Sequence, residues 1–243
     1  MFTNTDGSTT TNAATLTVTS LESSNWSGYV DTGSQGTFTS VYGDWTVPTL
    51  TCNSGKNAYA SAWIGIDGDG SGTVEQDGIE ADCSPSNVAS YNAWYEMYGD
   101  NAINGGAEVD IQTLVPADKV YAGDAMSASV SVVDNEWTLA ITDSTQNWSY
   151  TTSPPIKFSA EQESSEWIVE RPEVDGNTGV PLADFGSVTF TNATVNGTSD
   201  PISAFTALSL EMTANNGSTI LAAPGPLSAS GENFTDNWEA LGP

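Results

Sequence analysis

The chain has 243 residues, of which 31 are acidic, four are basic and none is histidine, giving a formal net charge of -27 at pH 7. That balance excludes nucleic acids and anionic membranes as partners, because both would repel it. The missing histidine excludes a Ser-His-Asp triad, a Cys-His pair and any His-ligated zinc site, and no GxGxxG or GxxxxGKS/T run marks a nucleotide site.

Charged residues are only 14% of the chain, so few carboxylates can be paired. Below the ordinary carboxylate pKa of about 4 their mutual repulsion relaxes, and a fold with few ion pairs loses little when its acids protonate. The composition therefore reads as acid-adapted; a halophilic surface is the alternative. No apolar stretch approaches the length of a membrane span. Residues 1–13 read as a disordered segment, and with no apolar signal-peptide core in the first fifteen residues the chain reads as a mature form. The remainder, 14–243, reads as a single catalytic domain, since no composition shift or repeat divides it.

Along that domain helical periodicity is nearly absent, and short apolar/polar alternations bounded by Gly, Asn, Asp and Pro recur. YASAWIGID, TVEQDGIEA, YNAWYEMY and EVDIQTL each predict a strand. MSASVSVV, with Met126, Ala128, Val130 and Val132 on one face, runs through Asp134-Asn135 into WTLAI and predicts a hairpin. EWIVE, SVTFTNATV, ALSLEMT and STILAA complete the set, with loops at Pro154-Pro155 and from Arg171 to Pro181. Many short strands predict an all-β domain, a two-sheet antiparallel β-sandwich of jelly-roll or lectin-like type. Cys52 and Cys83 are the only cysteines, and an even pair in so Ser/Thr/Asn-rich a chain predicts a disulfide and an extracellular setting.

DGDGSGTVEQDG from Asp67 superficially matches a calcium loop, but its last position is Gly78 where a bidentate Glu is needed and no helices flank it, so it reads as a hairpin loop without metal. Alternation then sorts the side chains. Trp63, Gly65 and Asp67 share one face of their strand, opposite Ile64 and Ile66; Asn92, Trp94 and Glu96 share another; Glu166, Ile168 and Glu170 a third. The next strand after Asp67 carries Gln76. Three acid-bearing faces, two with tryptophan, predict a substrate cleft, although a slip of one residue in register would reverse any of them.

At these residues the chain resembles the eqolisins, or glutamic peptidases. The matching segments are SNWSGYV (24–30), WTVP (45–48), AWIGIDGD (62–69), EQDG (75–78), YNAWYEMY (91–98), SEWIVERP (165–172) and DFGSVTFTNATV (184–195), in order. The resemblance implies a sandwich of two antiparallel sheets and a catalytic pair falling on Gln76 and Glu170, with Trp63, Asp67, Trp94, Glu96 and Glu166 lining the cleft. It implies a secreted acid endopeptidase acting as a monomer on polypeptides, without cofactor or metal. Glu170 would take a proton from water while the Gln76 amide stabilises the oxyanion. A base serving in acid needs a pKa near its ordinary value, so hydrogen-bond donors around Glu170 are expected in place of an apolar cage. Two other readings stay open. One is a jelly-roll glycoside hydrolase using Glu96 and Glu170; the other is a lectin-like carbohydrate-binding module, for which Gln76 would be dispensable.

Overall fold

The alternating run after Gly123 folds as its pattern predicts. Strands Ala125–Val133 and Glu136–Asp143 pair antiparallel, with Val130 opposite Leu139 and Ala128 opposite Ile141. Asp134 and Asn135 turn the chain at φ of 51° and 66°, the left-handed pair that a two-residue hairpin requires and that these short polar residues tolerate.

This structure is a computed structural model that describes residues 3–4, 7–8, 20–99, 104–197, 200–215 and 217–242. Apart from a short pairing of Thr3–Asn4 with Gly7–Ser8, the N-terminal segment read as disordered lies outside the described residues. The longer strands are β1 (Trp26–Thr32), β2 (Ser40–Thr46), β3 (Ala58–Ile66), β4 (Val74–Cys83), β5 (Ala89–Tyr98), β6 (Ala125–Val133), β7 (Glu136–Asp143), β8 (Trp148–Thr152), β9 (Ser164–Glu170), β10 (Ser187–Val195), β11 (Thr206–Thr213), β12 (Ile220–Pro224) and β13 (Phe234–Trp238). EVDIQTL departs from its predicted strand. Only Val109–Asp110 pairs, and Ile111–Leu114 is one turn of helix because the Asp110 carboxylate caps it, accepting from the Gln112 N–H.

Hydrogen bonding runs in the order β8-β7-β6-β2-β10-β13-β12-β11-β1-β9-β3-β4-β5. That path doubles back on itself, so that β6 and β2 pack over β3, and β6 and β7 over β4. The result is the expected antiparallel sandwich. Alternation supplies the interface: Ile64 and Ile66 of β3, Ile79 of β4, Met97 of β5, Trp167 and Val169 of β9 point inward against Val130, Trp137 and Leu139. The Trp167 indole N–H donates to the Tyr42 carbonyl oxygen at 2.9 Å, tying β9 to β2 across the layers. Cys52 and Cys83 are bonded, closing a 31-residue separation around β3 and β4.

The outer face of the β1-β9-β3-β4-β5 layer carries its own apolar cluster, Val30, Trp63, Val74, Trp94, Ile168 and Leu210. This cluster is the floor on which the polar residues of the next section stand.

Candidate active site

Register brings the three acid-bearing faces onto one surface. Across β9, β3, β4 and β5, Glu170 lies beside Ser61, then Glu80, then Asn92. The next row is Ile168, Trp63, Gly78 and Trp94, and the one after it Glu166, Gly65, Gln76 and Glu96. Glu170 and Gln76 are thus two strands and four residues apart along the ladder, with the Trp63 indole in the row between them. Gly78 makes room for that indole: a Cβ there would stand 2.5 Å from the Cβ of Trp63 and from the Ala62 carbonyl oxygen. Trp26 of β1 packs edge-on against Trp63 with ring centroids 5.0 Å apart.

Above this floor opens a cavity of about 590 Å³, lined among others by Gln76, Glu80, Trp94, Glu96, Glu108 and Glu170. Glu170 Oε1 accepts from the Asn25 side-chain amide at 2.9 Å, and Oε2 from the Trp63 indole N–H at 2.8 Å. Asn25 is itself fixed, since its carbonyl oxygen accepts the Arg171 backbone N–H at 2.7 Å and the Arg171 guanidinium donates to the adjacent Ser24 carbonyl oxygen at 2.7 Å. The Gln76 amide donates to Glu96 Oε2 at 2.6 Å. Its carbonyl oxygen is buried with no hydrogen-bond partner among the described residues.

Burial pushes the Glu170 carboxyl up to about 7, opposed by the Asn25, Trp63 and Trp26 donors and helped by the nearby Glu96 charge. Burial likewise pushes Glu96 up to about 7, opposed by the Gln76 N–H. The donors expected around Glu170 are present, but the expectation that they would hold its pKa near the ordinary value is corrected: loss of hydration at the foot of the cavity outweighs them.

Trp94 and Glu96 line the cavity with Gln76 and Glu170, as the alternation implied. Trp63, Asp67 and Glu166 stand behind its wall. Trp63 is fully buried and touches Glu170 from below. Asp67, also fully buried, accepts from the Gln162 and Glu163 backbone N–H groups at 2.9 and 3.0 Å, anchoring the approach to β9. Glu166 is buried beside Asp67 and Asp69, and loss of hydration holds its pKa well above the carboxylate range. Asn25, Trp26, Glu80 and Glu108 were not singled out from sequence. Glu80 was within reach, since it shares the parity of Gln76; Glu108 carried no signal.

Residues 24–229 match the Peptidase A4 family. The chain belongs to that family. Aspergillopepsin-2 of Aspergillus niger is 34% identical over 193 residues, covering 70% of this chain and 64% of that protein, so the chain spans under two thirds of this relative's length. Among solved structures, scytalido-glutamic peptidase bound to a transition state analog inhibitor superposes with a TM-score of 0.69 at 24% identity, over 89% of this chain and 98% of the other. SCP-B, described as a member of the eqolisin family of peptidases, superposes with a TM-score of 0.66 at 24% identity and the same coverages. The Peptidase A4 assignment bears out the eqolisin resemblance, and the superpositions bear out the sandwich.

Proposed function

We propose that the protein is a secreted, monomeric endopeptidase that hydrolyses polypeptides in acid, with Glu170 and Gln76 acting on a water molecule held between them. The observation that carries this reading is the cavity itself: a carboxyl held by two donors, Asn25 and Trp63, and a buried amide with an unpaired carbonyl oxygen open into the same space. Membership of the Peptidase A4 family supports it.

The chemistry follows from the groups. The Gln76 carbonyl oxygen accepts one hydrogen of the water and Glu170, in the small fraction that its raised pKa leaves ionised in acid, takes the other proton as the water oxygen attacks the scissile carbonyl carbon. The Gln76 amide has two N–H groups; one is spent on Glu96, and the second stabilises the oxyanion, an interaction typically worth about 3 kcal/mol. Collapse of the tetrahedral species breaks the C–N bond, and Glu170 returns its proton to the departing amine. No covalent enzyme intermediate forms.

The disulfide and the fungal relative support secretion, and among the described residues no helix is long and apolar enough to cross a membrane. The test is digestion of denatured casein from pH 2 to 7 with pepstatin present, comparing wild type, Glu170→Gln and Gln76→Ala. Proteolysis lost in both variants supports the assignment. A Gln76→Ala enzyme with full activity would overturn the role of the amide, and a wild type inert at every pH the peptidase reading as a whole.

A further inference from the structure

Arg171 directly follows Glu170 at the end of β9 and is fully buried. A desolvated cation is costly to a fold, yet the acceptors around this one are neutral: the Ser24 carbonyl oxygen at 2.7 Å and the Asn215 side-chain oxygen at 3.5 Å, both reached from Nη2. Its Nε and Nη1 are buried with no hydrogen-bond partner among the described residues. Together with its own backbone, the guanidinium grips the carbonyl on each side of the Asn25 Cα. The Arg171 backbone N–H donates to the Asn25 oxygen at 2.7 Å, and Nη2 donates to the Ser24 oxygen, which belongs to the peptide unit that carries the Asn25 N–H. Two planar peptide units held by one residue leave the side chain between them a fixed direction. Ser23 supports the same arrangement, its hydroxyl oxygen accepting the Trp26 N–H at 3.1 Å. The Asn25 amide is thereby aimed at Glu170 Oε1, 2.9 Å away.

We propose that the Arg171 side chain is a positioning residue for the reacting carboxyl, holding the Ser24–Asn25 peptide so that the Asn25 amide donates to Glu170. The inference rests on the peptidase reading for the role of Glu170 and adds to it the part that tunes that group. Of the two side-chain donors to Glu170, Trp63 lies within β3, fully buried and locked by packing. Asn25 stands just before β1 and is only half-buried, so its aim depends on what grips the chain there. The ionised carboxylate gains more from a donor than the neutral acid does, so a well-aimed Asn25 enlarges the fraction of Glu170 that can act as base. The charged groups facing Glu170 are Glu96 of β5, Glu80 of β4 and Glu108 of the segment after β5, and all three oppose its ionisation.

The Trp63 indole N–H donates to Glu170, so its NMR signal reports ionisation of that carboxyl without any turnover. Protein labelled with 15N-tryptophan is titrated from pH 4 to 9 as wild type, Arg171→Met, Asn25→Ala and the double variant, with Glu170→Gln identifying the Trp63 step by its loss. The backbone bond from Arg171 to Asn25 survives the change to Met, so that variant tests the guanidinium alone. The wild-type midpoint is expected at about 7. Arg171→Met and Asn25→Ala are each expected to raise it by up to about one pH unit, the scale of a hydrogen bond to a charged group, and the double variant to match Asn25→Ala. A midpoint unmoved by Arg171→Met in a folded protein makes the guanidinium purely structural and overturns the inference. A double variant showing the sum of the two shifts overturns it as well, since Arg171 would then act by its charge and not through Asn25. If Arg171→Met does not fold, Arg171→Lys carries the same comparison with the charge kept and the planar fork lost. Casein digestion by the wild type is scored separately. Shifted midpoints without proteolysis overturn the peptidase reading and leave the coupling of Arg171 to Asn25 standing; proteolysis with unshifted midpoints does the reverse.

Discussion

Asp31 provides a quantitative test of how this fold treats its acids. The side chain points into the sandwich from β1, fully buried, and neither carboxylate oxygen has a hydrogen-bond partner among the described residues. Burial alone raises its pKa from 3.8 to about 8. In the folded protein the group therefore stays protonated up to about pH 8, whereas in the unfolded chain it ionises near 3.8. Between those values the unfolded state holds fewer protons, so stability is full below the lower pKa and falls as pH rises toward the upper one. At pH 7 the gap above 3.8 is a little over three units, which at 1.36 kcal/mol per unit costs on the order of 4 kcal/mol. That is a large share of the roughly 5–15 kcal/mol typical of a domain. Asp31→Asn keeps the shape and polarity but cannot ionise. Urea unfolding followed by tryptophan fluorescence is expected to show variant and wild type alike at pH 3, and the variant about 4 kcal/mol more stable at pH 7 with an unchanged m-value. Parallel pH dependence in the two proteins would show Asp31 ionised inside the fold and refute the reasoning.

Two further perturbations probe the site and its scaffold. Asn25→Ala removes a donor from Glu170 while leaving its burial, so the Glu170 pKa is expected to move further up from about 7; the acid limb of the kcat/KM profile should shift to higher pH, and an unshifted limb would detach Asn25 from the ionisation of Glu170. Replacing both Cys52 and Cys83 by alanine opens a loop of 31-residue separation, and the chain-entropy relation gives a loss of about 3.7 kcal/mol, measurable as a lower urea midpoint; a loss under about 1 kcal/mol would mean the hairpin of β3 and β4 needs no brace.

Much of this protein follows from sequence because its strands obey a period of two. Alternation in AWIGID, YNAWYEMY and EWIVE assigned Ile64, Ile66, Tyr95, Met97, Trp167 and Val169 to the inner face, where they lie, and their polar neighbours to the outer one. The Asp134-Asn135 turn and the disulfide were equally legible, since each depends on local chemistry. EVDIQTL was misread because an Asp110 cap, worth about 1 kcal/mol, decides between strand and helix where the alternation is short. Which faces share one surface was not legible: parity says up or down within a strand, and only the ladder β9-β3-β4-β5 places Glu170, Trp63 and Gln76 in adjacent rows. Nor did composition reveal that Asp31, Asp77 and Asp236 are buried inside the sandwich. Charge counts are blind to hydration, and it is burial, set by packing between elements distant in the chain, that raises those carboxyls and Glu170 above their ordinary pKa.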